Sequence, residues 1–175
     1  MIKARDAIRS AQARIGTPYG TMDCIALIRD IIKRSAGGVP DYRCEGTNWL
    51  WKSIGKSGKY KHLIWRQDGL EGARGGMLAF KRNGDDVHHV GIVTGNGTVI
   101  HSSSVTGYVV ETALDDSWDC LGQHRYIDLL AIPDPTPEEP DVTDTNVGSK
   151  KKTTLINSVD GCMITLEGAW RVAND

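Results

Sequence analysis

One stretch constrains this chain more than any other. His88-His89-Val90-Gly91-Ile92-Val93-Thr94-Gly95-Asn96-Gly97-Thr98-Val99-Ile100-His101 reads as a β-hairpin around a glycine-asparagine-glycine turn, with histidines near both ends. Successive side chains of a strand point to opposite faces, so the length of the turn decides which residues share a face. A two-residue Asn96-Gly97 loop sets His101 opposite Ile92, on the face that His89 does not share. A three-residue Gly95-Asn96-Gly97 loop sets His101 opposite Gly91. His89 and His101 then become diagonal neighbours, roughly 7–8 Å apart at the backbone. The same register collects Val90, Ile92 and Ile100 on the other face, so one side is apolar and one polar. The three-residue loop is therefore expected, with Gly97 in the left-handed conformation. Gly91, opposite His101 and next to His89, leaves room for the two imidazoles.

Two imidazoles on one face suit a base and the group that fixes its tautomer, which leaves a nucleophile to find. Ile25, Ile28, Ile31 and Ile32 make one apolar stripe, and Gly37-Gly38 supplies a stop, so a helix is expected from about Asp23 to Ser35. Cys24 lies in its first turn. A thiol attacks carbonyls as the thiolate, and a helix N-terminus and an imidazolium both lower its pKa. The dipole supplies only about 0.3–1 kcal/mol, so the histidine must supply the rest. Asp23 disfavours the thiolate if its carboxylate faces the sulfur, and its side chain is therefore expected to cap the helix or hold substrate.

Elsewhere, residues 1–15 read as a helix with Ala4, Ile8, Ala11 and Ile15 on one face, ended by Gly16-Thr17-Pro18. Val39 to Gly76 is expected to be a long loop region with a short helix around Asn48 to Ile54 and with Trp49, Trp51 and Trp65 as anchors. Strands are expected at Met77–Phe80, Val87–Thr94, Thr98–Ser102, Tyr108–Thr112 and Arg125–Ile132. Helices followed by an antiparallel sheet make an α+β domain over residues 1–131. Four of the six prolines fall between Pro133 and Pro140 among acidic residues, so 132–152 reads as a linker. Residues 153–175 hold short β-like runs, too few to fold alone. They suit an appendage that packs on the main domain, pairs with another copy, or opens a further binding module.

With 25% charged residues and a net charge of -1, nothing suggests a nucleic-acid footprint or a membrane-surface patch. No run approaches the roughly 18 apolar residues of a membrane span, and Met1 to Ser10 lacks the apolar core of a secretory signal. None of the four cysteines has Cys-x-x-Cys spacing, so no metal site is expected. Cys44, Cys120 and Cys162 read as structural or free thiols and His62 and His124 as surface or loop residues. His88 reads as a structural or strand-edge residue.

Gly16-Thr17-Pro18-Tyr19 before Asp23-Cys24, the His89-Val90-Gly91-Ile92 strand, the Gly95-Asn96-Gly97 turn with Ile100-His101, and Trp118 before Arg125-Tyr126 together resemble the NlpC-type cell-wall cysteine peptidases. The likeness covers about residues 1–130. It implies a papain-like fold without cofactor or metal, with Cys24 as nucleophile, His89 as base and His101 as the third polar residue. Tyr19 and Asp23 match positions lining the family's substrate site. The implied partner is a peptidoglycan stem peptide, cut between D-glutamate and a diamino acid. Ile25-Ala26 stands where the family has Ser-Gly, and Met77 where an acidic residue is common. Acyl or amide transfer on the same fold, and a non-catalytic wall-binding module, are the rival functions. The order of domain, linker and tail suits a lysin-like layout.

Overall fold

The computed structural model describes residues 1–52, 62–131, 154–156 and 163–165. The chain divides into two units, Met1–Pro135 and Thr136–Asp175. In the second, Thr154–Ile156 (β9) and Met163–Thr165 (β10) pair antiparallel. The expected linker at 132–152 and the Trp170 run lie outside the described residues.

The first unit opens with β1 (Ile2–Lys3) and α1 (Ala4–Gln12), whose buried face is Ala4, Ala7 and Ala11. Such small side chains let neighbouring backbone approach closely. The helix is shorter than its apolar spacing predicts. Arg14 and Ile15 donate their amides to the Ala11 and Gln12 carbonyls, tightening the chain into a turn before Ile15 can join the stripe, and Ile15 is exposed. The second helix, α2 (Cys24–Arg34), matches its expectation and buries Leu27, Ile28, Ile31 and Ile32. Each such side chain contributes roughly 1.5–3 kcal/mol when fully removed from water. Asp30 joins the helices, accepting from Arg14 Nε and Arg34 Nε at 2.8 Å each. A short α3 (Thr47–Lys52) follows.

Six strands form one antiparallel sheet: β2 (Leu63–Asp68), β3 (Leu78–Asn83), β4 (Asp86–Val93), β5 (Thr98–Ser103), β6 (Tyr108–Ala113) and β7 (Cys120–His124), in the order β2-β7-β3-β4-β5-β6. The helix α2 packs against β4 and β5. A separate parallel pair joins β1 to β8 (Ile127–Asp128), Ile2 opposite Ile127. The architecture is α+β, as expected.

Two strand expectations are corrected. Leu63–Asp68 is the edge strand β2, where a loop was expected, and Trp65 is partly exposed on it. Its partner is β7 at Cys120–His124, so the last strand of the six-stranded sheet ends before Arg125, and of the strand expected from Arg125 the described residues keep only the short β8. Trp51 does anchor the core, edge-on to Phe80 at 5.0 Å with Arg66 over its ring.

His62 and His124, expected at the surface or in loops, are buried. The Tyr126 amide donates to His124 Nδ1 at 3.2 Å, which leaves the proton on Nε2 to donate to Tyr42 Oη at 3.0 Å. The Tyr42 hydroxyl bonds Cys44, and the Cys44 thiol donates to the Gly46 carbonyl at 3.5 Å. Each donor in this run from Tyr126 through His124, Tyr42 and Cys44 to Gly46 has an acceptor, so these polar groups sit in the interior without an unpaired cost. His62 packs edge-on to Tyr42 and Trp49. Cys24, Cys44 and Cys120 are free thiols.

Candidate active site

The β4–β5 hairpin takes the three-residue turn. Gly91 pairs with His101, Ile92 with Ile100 and Val93 with Val99, and the Thr94 amide donates to the Thr98 carbonyl at 3.0 Å to close the loop. Gly95 and Gly97 both have positive φ, +95° and +73°. Val90, Ile92 and Ile100 are fully buried on one face. On the other, His89 Nε2 and His101 Nδ1 are 2.8 Å apart, a hydrogen bond between two imidazoles twelve residues apart in sequence. A Cβ added at Gly91 would meet Val99 Cγ1 at 2.4 Å and His101 Cβ at 2.9 Å, so this position is glycine for want of space.

Cys24 is the first residue of α2, and Asp23 is its N-cap, Oδ1 accepting the Ala26 amide at 2.7 Å. Of the two roles expected for Asp23, capping is the one the geometry displays. The sulfur lies against the Val90 amide, the residue next to His89, and near its own and the Ile25 amides at the helix start. Ser102 of β5 donates to the Met22 carbonyl, tying the segment before Cys24 to the sheet. Tyr19 is held by its amide, which donates to the Gly107 carbonyl at 2.8 Å beside the start of β6. Its phenol stays protonated above its ordinary range, raised by burial and then by the charges of Cys24 and Asp23.

The charge state departs from the sequence expectation. Burial pushes the Cys24 thiol up; the Val90 amide pulls it back, and Asp23 adds to the rise. Burial also pushes His89 down to about 4, with the His101 ring, Lys81 and His88 adding to the effect. His101 falls to about 4 through burial and then Lys81. The resting site is therefore a neutral thiol and two neutral imidazoles. Desolvation outweighs the helix dipole here.

Three further residues complete the cluster. Thr112 Oγ1 lies 3.1 Å from His101 Nε2 and extends the relay by one group. Trp118, buried, stacks on His89 at 5.5 Å and meets His101 edge-on at 5.2 Å. Lys81 pairs directly with His89 across β3 and β4. Sequence reading counts Trp118 only as part of a likeness and misses Thr112 and Lys81. The β5–β6 register, with His101 opposite Val110, would have found Thr112 as a diagonal neighbour. His88 is exposed on the strand, next in sequence to His89. Among the described residues no group of three or more His, Cys, Asp or Glu side chains is arranged to hold a metal ion, and no helix is long and apolar enough to cross a membrane.

No family model matches the chain. Two Corynebacterium glutamicum proteins described as probable endopeptidases, one from strain ATCC 13032 and one from strain R, are each 31% identical over 117 residues, 62% of this chain. The matches cover 47% and 46% of those proteins, so the chain spans about half the length of the curated relatives it matches. Among solved structures, the peptidoglycan hydrolase RipB of Mycobacterium tuberculosis superposes with a TM-score of 0.51 at 18% identity, over 69% of this chain and 63% of that one. The P60 domain of a Mycobacterium avium subspecies paratuberculosis antigen gives 0.50 at 18% identity, over 69% and 93%. The described residues up to 131 thus have an α+β fold similar to that of the P60 domain and of RipB.

Proposed function

We propose that this chain is a cysteine endopeptidase that hydrolyses amide bonds in peptidoglycan stem peptides, at the bond between D-glutamate and a diamino acid, through a thioester on Cys24. The observation that carries this reading is the His89 Nε2 to His101 Nδ1 hydrogen bond on the strand whose Val90 amide touches the Cys24 sulfur. It is also in keeping with the descriptions of the relatives, a probable endopeptidase and a peptidoglycan hydrolase.

The tautomers follow from the roles. For His89 to act as base through Nδ1, its neutral proton sits on Nε2 and is donated to His101 Nδ1. His101 in turn keeps its proton on Nε2, toward Thr112 Oγ1. With thiol and imidazole both neutral at rest, His89 takes the thiol proton as the sulfur attacks the carbonyl. The oxyanion that forms lies at the α2 N-terminus, where the amides around Cys24 and the protonated Tyr19 hydroxyl can donate to it. Collapse expels the amine, which receives the proton from His89, and leaves the acyl group on sulfur. Water, deprotonated by His89, then breaks the thioester and restores the thiol. Asp23 caps the helix and, with Tyr19, borders the substrate.

Digestion of purified peptidoglycan of several chemotypes, with products identified by mass spectrometry, tests the reading. The native protein should release stem fragments in which each new pair of ends has gained one water, and Cys24→Ala should release none. If both proteins bind wall equally and neither releases peptides, the domain is a wall-binding module. If products carry an acceptor in place of water, it is a transferase.

A further inference from the structure

Lys81 stands directly opposite His89 in the β3–β4 ladder, so the two side chains rise from the same face of the sheet. Its Nζ lies 4.8 Å over the ring of Trp118, the ring that stacks on His89, and donates to Ser117 Oγ at 2.9 Å. Among the described residues no carboxylate forms an ion pair with it. Asp115, exposed, takes the Ser117 hydroxyl and, at 3.0 Å, the Ser117 amide, so it reaches the ammonium only through that hydroxyl and across solvent. The ammonium is thus held directly by a hydroxyl and a π face, and its nearest carboxylate partner is indirect and screened by solvent. Its field reaches both imidazoles and makes each a weaker base. A cation that weakens the base beside it gains a compensating role only when an anion arrives with the substrate.

Position says which half of the substrate would carry that anion. The strand β3 lies on the side of β4 away from β5, so Lys81 and His101 flank His89 from opposite sides. The departing amine must sit against His89 to receive its proton, whereas the acyl half stays on the Cys24 sulfur. Groups near the new amine therefore pass within reach of a lysine one strand away.

We propose that Lys81 is a specificity-determining residue that binds a carboxylate carried by the diamino residue leaving with the new amine. The assignment rests on the endopeptidase reading above. It makes a leaving half with free carboxylates the preferred substrate over the same half amidated, and it gives the Lys81 charge its counter-ion in the complex.

The test pairs a γ-D-glutamyl-diaminopimelate peptide with the same peptide amidated on its diaminopimelate carboxylates. Binding to Cys24→Ala is followed by calorimetry and turnover by the native protein. The free-carboxylate peptide should bind about tenfold or more tightly. Lys81→Gln, added to Cys24→Ala, should remove that preference by weakening the carboxylate peptide alone; Lys81→Arg should keep most of it, and Lys81→Glu should reverse it. Equal binding of the two peptides, binding of neither, or an equal loss for both in Lys81→Gln overturns the assignment. If Cys24→Ala discriminates as expected but the native protein cuts neither peptide, the carboxylate site stands and the endopeptidase reading falls. If the native protein cuts both at one rate, the endopeptidase stands and Lys81 loses its role.

Discussion

In the proposed mechanism His101 acts through the proton it leaves on its neighbour. Its Nδ1 accepts from His89 Nε2 at 2.8 Å only while its own proton faces Thr112. When His89 becomes charged in the transition state, that bond becomes charge-assisted and strengthens. Losing a hydrogen bond to a charged group costs about 1.5–3 kcal/mol, which is roughly a 10- to 150-fold fall in rate. His101→Ala should therefore lower kcat by that factor with little change in KM, as read from steady-state kinetics on a defined stem peptide. His101→Asn, whose amide oxygen can accept the same proton, should recover part of the loss. An unchanged kcat in the alanine variant would remove His101 from the relay.

At the scale of elements, the start of α2 combines two effects that one pair of substitutions separates. Asp23 caps the helix through Oδ1, and its charge raises the Cys24 pKa. Asp23→Ala loses both and should cost about 1 kcal/mol of stability. Asp23→Asn keeps a capping oxygen and loses only the charge, so its stability should stay near that of the native protein. In both, the thiol should ionise at lower pH, measured as the pH dependence of alkylation by iodoacetamide; a thiol unmoved in Asp23→Asn would contradict the electrostatic coupling. This helix and the β4–β5 hairpin are legible in the sequence because local pattern and turn chemistry agree with the final packing. The edge strand β2 is not, since Ile64 and Trp65 stay partly exposed and a bulge follows Leu63, so alternation is lost. Gly122 hides β7 in the same way. A side chain there would press on Phe80 and Leu63, and the glycine that avoids this reads locally as a break. Tyr42 and His124 meet across 82 residues, and Lys81 meets His89 only once the bulge after Lys81 sets the register. Neither pairing leaves a local mark.

For the molecule as a whole, burial lowers four imidazoles: His89 and His101 to about 4, His124 to about 3, and His62 below its ordinary value. In the unfolded chain they take protons near 6.5. Between those values the unfolded state binds more protons, so stability is greatest above about pH 6.5 and falls as the medium is acidified toward 4. For the fully buried His124 the slope is about 1.4 kcal/mol per pH unit. Urea midpoints should therefore be clearly lower at pH 5 than at pH 7, and equal midpoints would show that these rings are not held neutral. The parallel β1–β8 pair has a different consequence. With Ile2 beside Ile127, the first residues of this unit and its last strand are neighbours, and the polypeptide runs as a nearly closed ring. Joined by a short linker across that seam and reopened at the exposed turn between Gly69 and Gly72, the same residues would trace the same fold in rotated order. His89 would then precede Cys24 along the chain without either moving in space, so the order of the two in this sequence is a matter of where the ring is cut, and the proposed chemistry does not depend on it.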